Sequence, residues 1–331
     1  MKNTQIILVN RPHGWVQESD FRLVQTDLPA LQDGEVLIQN TYLSLDPYMR
    51  GRMDDAKSYA PPVELGHVMV GGTVGVVIAS KNPRFHEQET LLSDFGWQQY
   101  GISKGDNLWE IANQQIPPSA YLGVLGIPGL TAWVGLITIG QPKQGETVVV
   151  SAAAGAVGSA VGQLAKVRGC RAVGIAGGKA KCDYVVNELG FDACVDYKAS
   201  HLVEDLAATT PDGIDVYFDN VGGEILDAVL LRLNPFARIP LCGMISQYNV
   251  TQPYQLQHLR SLLVNRAKLQ SFIITDHVDL WPQAQSELEE LFVQGLLKYR
   301  ESIVEGLENA PRALIGMLKG ENFGKQLIKL A

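Results

Sequence analysis

A block of small residues, Ala153 to Gly158, follows the β-branched run TVVVS at 147–151. The block reads AAGAVG and fits the spacing G-x-G-x-x-G, with Ala153 in place of the first glycine. In that motif the small residues permit a tight turn and bring the backbone close to a pyrophosphate, which binds at the N-terminus of the following helix. A glycine-rich loop that serves packing alone would look the same in isolation, so the surrounding elements decide between the two.

The residues about 20 positions further on distinguish the two common dinucleotides. An acidic residue there would bond the ribose 2′-hydroxyl and favour NAD, but segment 176–181 reads AGGKAK and holds no acid. Lys179 and Lys181 instead stand beside two glycines, where a cation can meet a 2′-phosphate. The sequence therefore favours NADP, with a solvated lysine at the start of a helix as the alternative interpretation of Lys181.

Two further side chains fall at the ends of predicted strands. Tyr197 in DYK ends the third strand, where its ring can lie beside the adenosine, and Asn220 in DNVGG ends the fourth. Ligands of open parallel sheets bind at the carboxyl edge of the strands. We therefore expect both residues at the cofactor.

The elements that must position these residues alternate from about residue 128 onward. Six runs that are apolar throughout, beginning with ETVVVSA and RAVGIAGG, are separated by segments with helical periodicity. This pattern predicts an α/β fold with a doubly wound, six-stranded parallel sheet of the Rossmann type. Residues 1–125 contain short β-rich runs separated by Gly, Pro, Asn and Asp, which predicts an antiparallel, barrel-like unit.

Composition excludes several classes of function. The 331 residues carry a net charge of −8, which argues against nucleic acid or an anionic membrane as the main partner. Neither a signal peptide nor an apolar run of about 20 residues occurs, so we expect a cytoplasmic protein. The cysteines are Cys170, Cys182, Cys194 and Cys242; they form no CxxC pair, and we expect buried, reduced thiols.

Almost the whole chain resembles a known family through seven motifs. They are YLSLDPYMRGRM, LGIPGLTAWVGL, SAAAGAVGSAVGQLAK, GFDACVDYK, YFDNVGGE, FARIPLCGMISQYN and GENFGKQLIKL. The chain resembles the zinc-independent medium-chain dehydrogenase/reductase superfamily, and within it the leukotriene B4 dehydrogenase/prostaglandin reductase/alkenal double-bond reductase family, which includes bacterial curcumin reductases. The resemblance implies a GroES-like catalytic domain at 1–125 completed by 298–331, a Rossmann NADP-binding domain at 126–297, and a homodimer.

The resemblance also implies a set of NADPH contacts spread along the chain. They are Ala154, Gly155, Ala156 and Val157 at the pyrophosphate, Lys181 at the 2′-phosphate, then Tyr197 and Asn220, then Cys242, Gly243, Met244, Ile245, Ser246, Gln247 and Tyr248 around the nicotinamide side, the strand Phe272, Ile273 and Ile274, and Asn322 of the tail. The segment GGKAK departs from the acid-containing loop usual in the family.

A catalytic zinc site is not expected. Zinc-dependent relatives carry an early Cys ligand and a Gly-His-Glu segment, whereas no cysteine precedes residue 170 here and Val68 follows Gly66-His67. Such a site needs about three converging N, S or O side chains. His67 alone cannot supply it, and we expect a hydrogen-bonded structural histidine and no metal.

Without a Lewis acid, conjugate reduction is easier than alcohol oxidation. Hydride transfer to the β-carbon of an enone places negative charge on the carbonyl oxygen, which hydrogen-bond donors in a dry pocket can stabilise. Tyr48, Tyr59 and Tyr248 are candidate donors, because a tyrosine with a pKa of about 10 stays protonated at neutral pH. The resemblance supports Tyr48 and Tyr248, with a hydroxyl of the cofactor ribose as a further donor.

We therefore predict an NADPH-dependent reductase of the carbon–carbon double bond of α,β-unsaturated ketones and aldehydes. The alternative is an NADPH:quinone oxidoreductase with the same fold and cofactor. The motifs DPYMR and CGMISQYN favour the first. A non-catalytic NADPH-binding protein is a third hypothesis with little support.

Overall fold

The computed structural model describes residues 1–111, 113 and 115–331, and the chain divides into two units, one of Met1–Gly123 with Glu301–Ala331 and one of Val124–Arg300. The strands are β1 (Lys2–Leu8), β2 (Phe21–Asp27), β3 (Val36–Ser44), β4 (Thr73–Ser80), β5 (Thr90–Ser93), β6 (Tyr100–Ser103), β7 (Trp109–Glu110), β8 (Thr147–Ser151), β9 (Arg171–Ala176), β10 (Ala193–Asp196), β11 (Ile214–Phe218), β12 (Leu233–Leu241), β13 (Lys268–Ser271), β14 (Glu301–Glu305) and β15 (Lys325–Lys329). The α-helices are α1 (Tyr48–Gly51), α2 (Ile127–Trp133), α3 (Ala156–Val167), α4 (Lys179–Asn187), α5 (Leu202–Thr209), α6 (Gly223–Leu230), α7 (Arg260–Asn265), α8 (Trp281–Val293) and α9 (Ala310–Leu318). Among the described residues, no helix combines the length and apolar character that crossing a membrane requires.

The unit Val124–Arg300 is built on a six-stranded parallel sheet, as the sequence predicts. Its strand order is β10-β9-β8-β11-β12-β13. All five residues of β8 are buried, because its β-branched side chains fill the space on both faces of the sheet. The strand order reverses between β8 and β11, so a crevice opens at the carboxyl ends of these two strands, where α/β sheets bind ligands.

The other unit contains the antiparallel β-structure expected for the N-terminal region. Its larger sheet has the order β14-β15-β3-β4-β5-β7, with β6 also pairing with β3, and β1 pairs with β2 separately. The tail strand β15 runs antiparallel to β3, with Leu327 opposite Ser44. The C-terminal tail therefore completes the sheet that the N-terminal residues begin.

Two tryptophans are buried, one in each unit. Trp97 is fully buried and stacks on Phe21 with ring centroids 5.3 Å apart. Trp133 is buried in the other unit, where its indole N–H donates to Glu287 Oε2 at 2.8 Å.

Helix α3 packs against Phe191 through a glycine, which gives a test of the packing. A Cβ added to Gly162 would lie 1.8 Å from Cζ of the buried Phe191 ring. We expect Gly162→Ala to lower the free energy of unfolding by about 1–3 kcal/mol, because overpacking shifts the ring or the helix. Urea denaturation should show a smaller cost for Gly162→Ala in a Phe191→Leu background.

Gly51→Ala is the matched control, because its added Cβ meets no atom within 4 Å. An equal cost for Gly162→Ala with and without Phe191 would contradict the packing argument.

Candidate cofactor and active site

The corner between β8 and α3 is shaped by close backbone contacts. The Gly155 N–H donates to the Ala152 carbonyl at 2.8 Å, and Ala152 adopts a left-handed φ of 51°. A Cβ on Gly158 would lie 2.3 Å from that same carbonyl oxygen, so glycine is required for α3 to approach the turn. The N–H groups of the first turn of α3 have no intrahelical acceptor and face this open corner. That this corner binds a pyrophosphate stays a prediction from the sequence.

Helix α4 begins with the two lysines of segment 176–181, Lys179 and Lys181. Lys179 is exposed and its ammonium lies 2.6 Å from Asp183 Oδ2, four residues along the helix. Lys181 is half-buried, and burial, followed by the charge of Lys198, lowers its pKa. A 2′-phosphate beside Lys181 would favour the charged form of this lysine, so Lys181 is the better candidate for the phosphate contact.

Lys198 and Tyr197 lie over the loop between β9 and α4. A Cβ on Gly177 would come within 2.9 Å of Tyr197 Cε1 and 3.0 Å of Lys198 Cε, and the Lys198 ammonium is 5.9 Å from the centre of the Tyr197 ring. Tyr197 therefore lies against the β9–α4 loop at Gly177, just before the helix that carries Lys181. Lys198 is missed by the sequence argument, although its position after the third strand is a usable signal.

Asp196 holds this loop in place. Its Oδ1 accepts the Gly178 N–H at 2.7 Å and the Lys198 N–H at 3.0 Å. The acid at the end of β10 is thereby used to connect two backbone segments. The end of β9 is therefore the position whose residue type distinguishes NAD from NADP, and it holds no acid.

Asn220 lies at the end of β11, beside the corner. Its N–H donates to Ser151 Oγ at 2.9 Å and its side-chain amide donates to the Ser151 carbonyl at 2.8 Å. These two bonds tie the carboxyl ends of β8 and β11 together. The sequence places Asn220 here correctly as a strand-end residue, without indicating its partner.

The buried Asp219 organises the same edge and escaped the sequence analysis. Its Oδ1 accepts hydrogen bonds from Tyr217 Oη at 2.8 Å, Ser151 Oγ at 3.2 Å, and the N–H groups of Val221 and Gly222 at 2.9 Å. Burial raises the pKa of Asp219. The carboxylate thereby fixes the backbone turn that follows β11.

Segment 242–248 packs on that turn. The N–H groups of Cys242 and Gly243 donate to the Asp219 carbonyl at 2.9 and 3.1 Å, and Ser246 Oγ donates to the Val221 carbonyl at 2.6 Å. The phenol oxygen of Tyr248 accepts the Met244 N–H at 3.2 Å. Tyr248 is therefore positioned by its own loop. In the same segment, burial raises the pKa of Cys242 to about 12, so this thiol is neutral at physiological pH.

One predicted set of cofactor contacts, the strand Phe272, Ile273 and Ile274, differs in its structure from the expectation. Phe272, Ile273 and Ile274 are not a strand, because β13 ends at Ser271 and a 3-10 helix begins at Ile274. The Phe272 ring is buried and meets Phe218 edge-on, with centroids 6.2 Å apart. Asn322, in the unit of the N-terminal residues, donates its amide to the Gly324 carbonyl at 2.7 Å.

Tyr48 opens the short helix α1, and a buried ion pair fixes the residues before it. The Lys325 ammonium lies 2.5 Å from Asp46 Oδ1 and donates to the Leu45 carbonyl at 2.8 Å. Ser44 Oγ donates to the other Asp46 oxygen. Burial, followed by the charge of Asp46, raises the pKa of Tyr48, so its phenol is a proton donor throughout the physiological range. Tyr59, by contrast, is 61% exposed and is the weaker candidate.

His67 was expected to be a hydrogen-bonded structural residue and the cysteines were expected to be buried, and the structure differs for His67 and for three of the cysteines. The His67 side chain is 68% exposed, with Nδ1 3.6 Å from Glu64 Oε2. Cys170 is buried, whereas Cys182, Cys194 and Cys242 are half-buried. Within residues 1–111, 113 and 115–331, no three His, Cys, Asp or Glu side chains are grouped so that they could hold a metal ion.

Removing Lys325 tests whether the ion pair holds the Tyr48 segment. Lys325→Met leaves the Asp46 carboxylate without its cation, and we expect the free energy of unfolding to fall by about 3–5 kcal/mol. The double variant Asp46→Asn/Lys325→Met removes both charges and should be more stable than Lys325→Met in thermal unfolding. A double variant less stable than the single one would show that the charge pairing is not the source of the stability.

The chain matches known proteins along its whole length. A family model described as the N-terminal domain of oxidoreductase matches residues 4–111, and one described as zinc-binding dehydrogenase matches residues 156–290. The NADPH-dependent curcumin reductase of Escherichia coli (strain K12) is 48% identical over 100% of this chain and 97% of its own. The NADP(+)-dependent 2-alkenal reductase of Nicotiana tabacum is 39% identical, over 100% and 98%. The crystal structure of CurA in complex with NADPH from Vibrio vulnificus is 50% identical, covers 99% of both chains and gives a TM-score of 0.95.

Proposed function

The chain belongs to the zinc-independent medium-chain dehydrogenase/reductase family, in the group of the curcumin, prostaglandin and alkenal reductases, and we propose that it reduces the carbon–carbon double bond of α,β-unsaturated ketones and aldehydes with NADPH. The observation that carries this proposal is the full-length likeness to enzymes named NADPH-dependent curcumin reductase and NADP(+)-dependent 2-alkenal reductase. The backbone of the β8–α3 corner and Lys181 at the start of α4 would bind the phosphate groups of this cofactor.

We assign the cofactor to the unit Val124–Arg300. The backbone of Ala154 to Val157 would meet the pyrophosphate, and Lys181 with Lys198 would meet the 2′-phosphate. Tyr197 would lie by the adenosine, and segment 242–248 by the nicotinamide. When bound, NADPH supplies the hydride that the β-carbon of the substrate accepts.

The chain's own part in the chemistry is to stabilise charge and deliver a proton. As the β-carbon is reduced, negative charge develops on the substrate carbonyl oxygen, and a preorganised phenol stabilises it most at that moment. Tyr48 keeps its proton for this purpose because its pKa is raised. Tyr248 accepts the Met244 N–H, which makes its own O–H a stronger donor. We assign these two phenols as the donors that hold the enolate.

Three features remain predictions from the sequence. They are the homodimer, the cytoplasmic location, and the catalytic role of residues 1–125 with 298–331 beside a cofactor-binding domain at 126–297. Reduction of a quinone is the competing activity, and the assay below separates it from reduction of an enone.

Lys179 and Lys181, both in the first turn of α4, offer a matched test of the choice between NADPH and NADH. We expect Lys181→Met to raise the KM for NADPH roughly 10- to 100-fold, because a charge-assisted hydrogen bond is worth about 1.5–3 kcal/mol. The KM for NADH should stay unchanged, since NADH lacks the 2′-phosphate. Lys179→Met removes a solvated lysine of the same helix and should leave both values unchanged. Equal losses with NADPH and NADH would show that Lys181 supports the fold and does not bind the phosphate.

The substrate class is tested by following NADPH absorbance with 2-alkenals, enones and benzoquinones. We expect higher kcat/KM for the alkenals and enones than for the quinones. Removing the proposed donors with Tyr48→Phe and Tyr248→Phe should lower kcat about 10²–10³-fold in the double variant, because oxyanion donors contribute on that scale. Tyr100→Phe in strand β6 is the control. Full activity of the double variant would exclude the phenols, and a preference for quinones would favour the competing function.

A further inference from the structure

Cys182 and Cys194 face each other next to the proposed phosphate site. Cys182 lies in the first half of α4 and Cys194 lies in β10, and their sulfur atoms are 3.0 Å apart. Both are half-buried, so a small oxidant can reach them from solvent. The pair belongs to neither the proposed chemistry nor the proposed set of cofactor contacts.

The sheet geometry creates this contact. Cys194 stands opposite Gly174 in the pairing of β10 with β9, and a Cβ on Gly174 would lie 3.4 Å from the Cys194 sulfur and 2.9 Å from Val185 of α4. Glycine at 174 therefore leaves room for Cys194 and α4 on one face of the sheet. The two thiols are in contact there, although they stand twelve positions apart in the sequence.

We propose that Cys182 and Cys194 form an oxidisable dithiol whose closure into a disulfide weakens the binding of NADPH. The second half of this proposal rests on the proposed function, because it concerns the 2′-phosphate site. The dithiol itself stands on the sulfur–sulfur geometry alone.

The oxidation balances with a peroxide as the oxidant. The Cys182 thiolate attacks the O–O bond of hydrogen peroxide, gains one oxygen as sulfenic acid, and the other oxygen leaves as water after taking a proton. The Cys194 sulfur then attacks the Cys182 sulfur, the S–O bond breaks, and a second water leaves. The pair loses two electrons and two protons, and a dithiol reductant returns them.

The two cysteines divide these roles. Cys194 donates its S–H to Cys182, which lowers the pKa of Cys182 and raises that of Cys194. Since the thiolate is the nucleophile, Cys182 is the attacking group and Cys194 the resolving one.

Closure acts on the proposed phosphate site because each cysteine lies close in sequence to one of the two lysines of that site. Cys182 follows Lys181 directly, and the N–H groups of both donate to the Gly178 carbonyl at 3.2 and 3.1 Å. Cys194 lies four residues before Lys198 in the strand-end segment. A disulfide needs sulfur atoms about 2.05 Å apart, so closure must draw α4 toward β10. The two ammonium groups then change their spacing around the phosphate.

The test begins with wild-type protein, so that no variant has to fold. Protein treated with hydrogen peroxide and digested without reduction should yield one peptide that links Cys182 to Cys194 and lacks two hydrogens. Titration should then give a dissociation constant for NADPH roughly three- to tenfold higher than that of the reduced protein, and NADH binding should be unchanged. Dithiothreitol should restore the original value.

Variants separate the pair from general oxidation damage. Cys182→Ser and Cys194→Ser should each bind NADPH normally and lose the response to peroxide, whereas Cys170→Ser, which replaces a buried thiol, should respond as wild type does. Sulfinic acid on Cys182 without a cross-link would overturn the dithiol. A cross-linked protein that binds NADPH as tightly as the reduced one would overturn its control of binding. If reduced protein bound no NADPH, the proposed function and this control would both fail, while the cross-linked peptide would still decide the dithiol.

Discussion

The carboxylate of Asp219 is the interaction on which the carboxyl edge of the parallel sheet depends. A single oxygen, Oδ1, receives four hydrogen bonds, from two hydroxyls and two backbone N–H groups. The other oxygen is buried without a hydrogen-bond partner among the described residues, and burial raises the pKa of the group. Burying a carboxyl in this state costs free energy. In return, its hydrogen bonds to two backbone N–H groups hold the turn that follows β11.

That geometry extends in two directions from Asp219. Through Ser151 it reaches the end of β8, where the tight corner before α3 begins. Through its own carbonyl, which accepts two N–H groups, it holds the start of segment 242–248, and so the loop that carries Tyr248. Asp219 therefore fixes the end of β8 through its side chain and the start of segment 242–248 through its backbone carbonyl, and these are the two parts proposed to meet the pyrophosphate and the nicotinamide.

The sequence predicted those parts of the site that depend on local patterns. The small residues 153–158, the apolar strands and Asn220 are each recognisable from spacing alone, because the backbone itself imposes the requirement. Asp219 and Lys198 were missed because their roles come from contacts across strands that sequence periodicity does not record. Spacing did not separate the two lysines of GGKAK, and only the family resemblance singled out Lys181; the structure distinguishes them, because Lys179 pairs with Asp183 on the solvent side of α4. Cys182 and Cys194 were expected to be buried, and they are half-buried.

The adenosine end of the site shows why a cofactor phosphate can be discriminated without a rigid cage. Lys181 and Lys198 repel each other, and burial adds to the cost of charging Lys181. With the 2′-phosphate assigned to this site, as proposed above, a dianion would lower this cost, whereas a dinucleotide without the 2′-phosphate would not. On this proposal, discrimination between NADPH and NADH depends on repulsion between the two lysines as well as on attraction to the ligand.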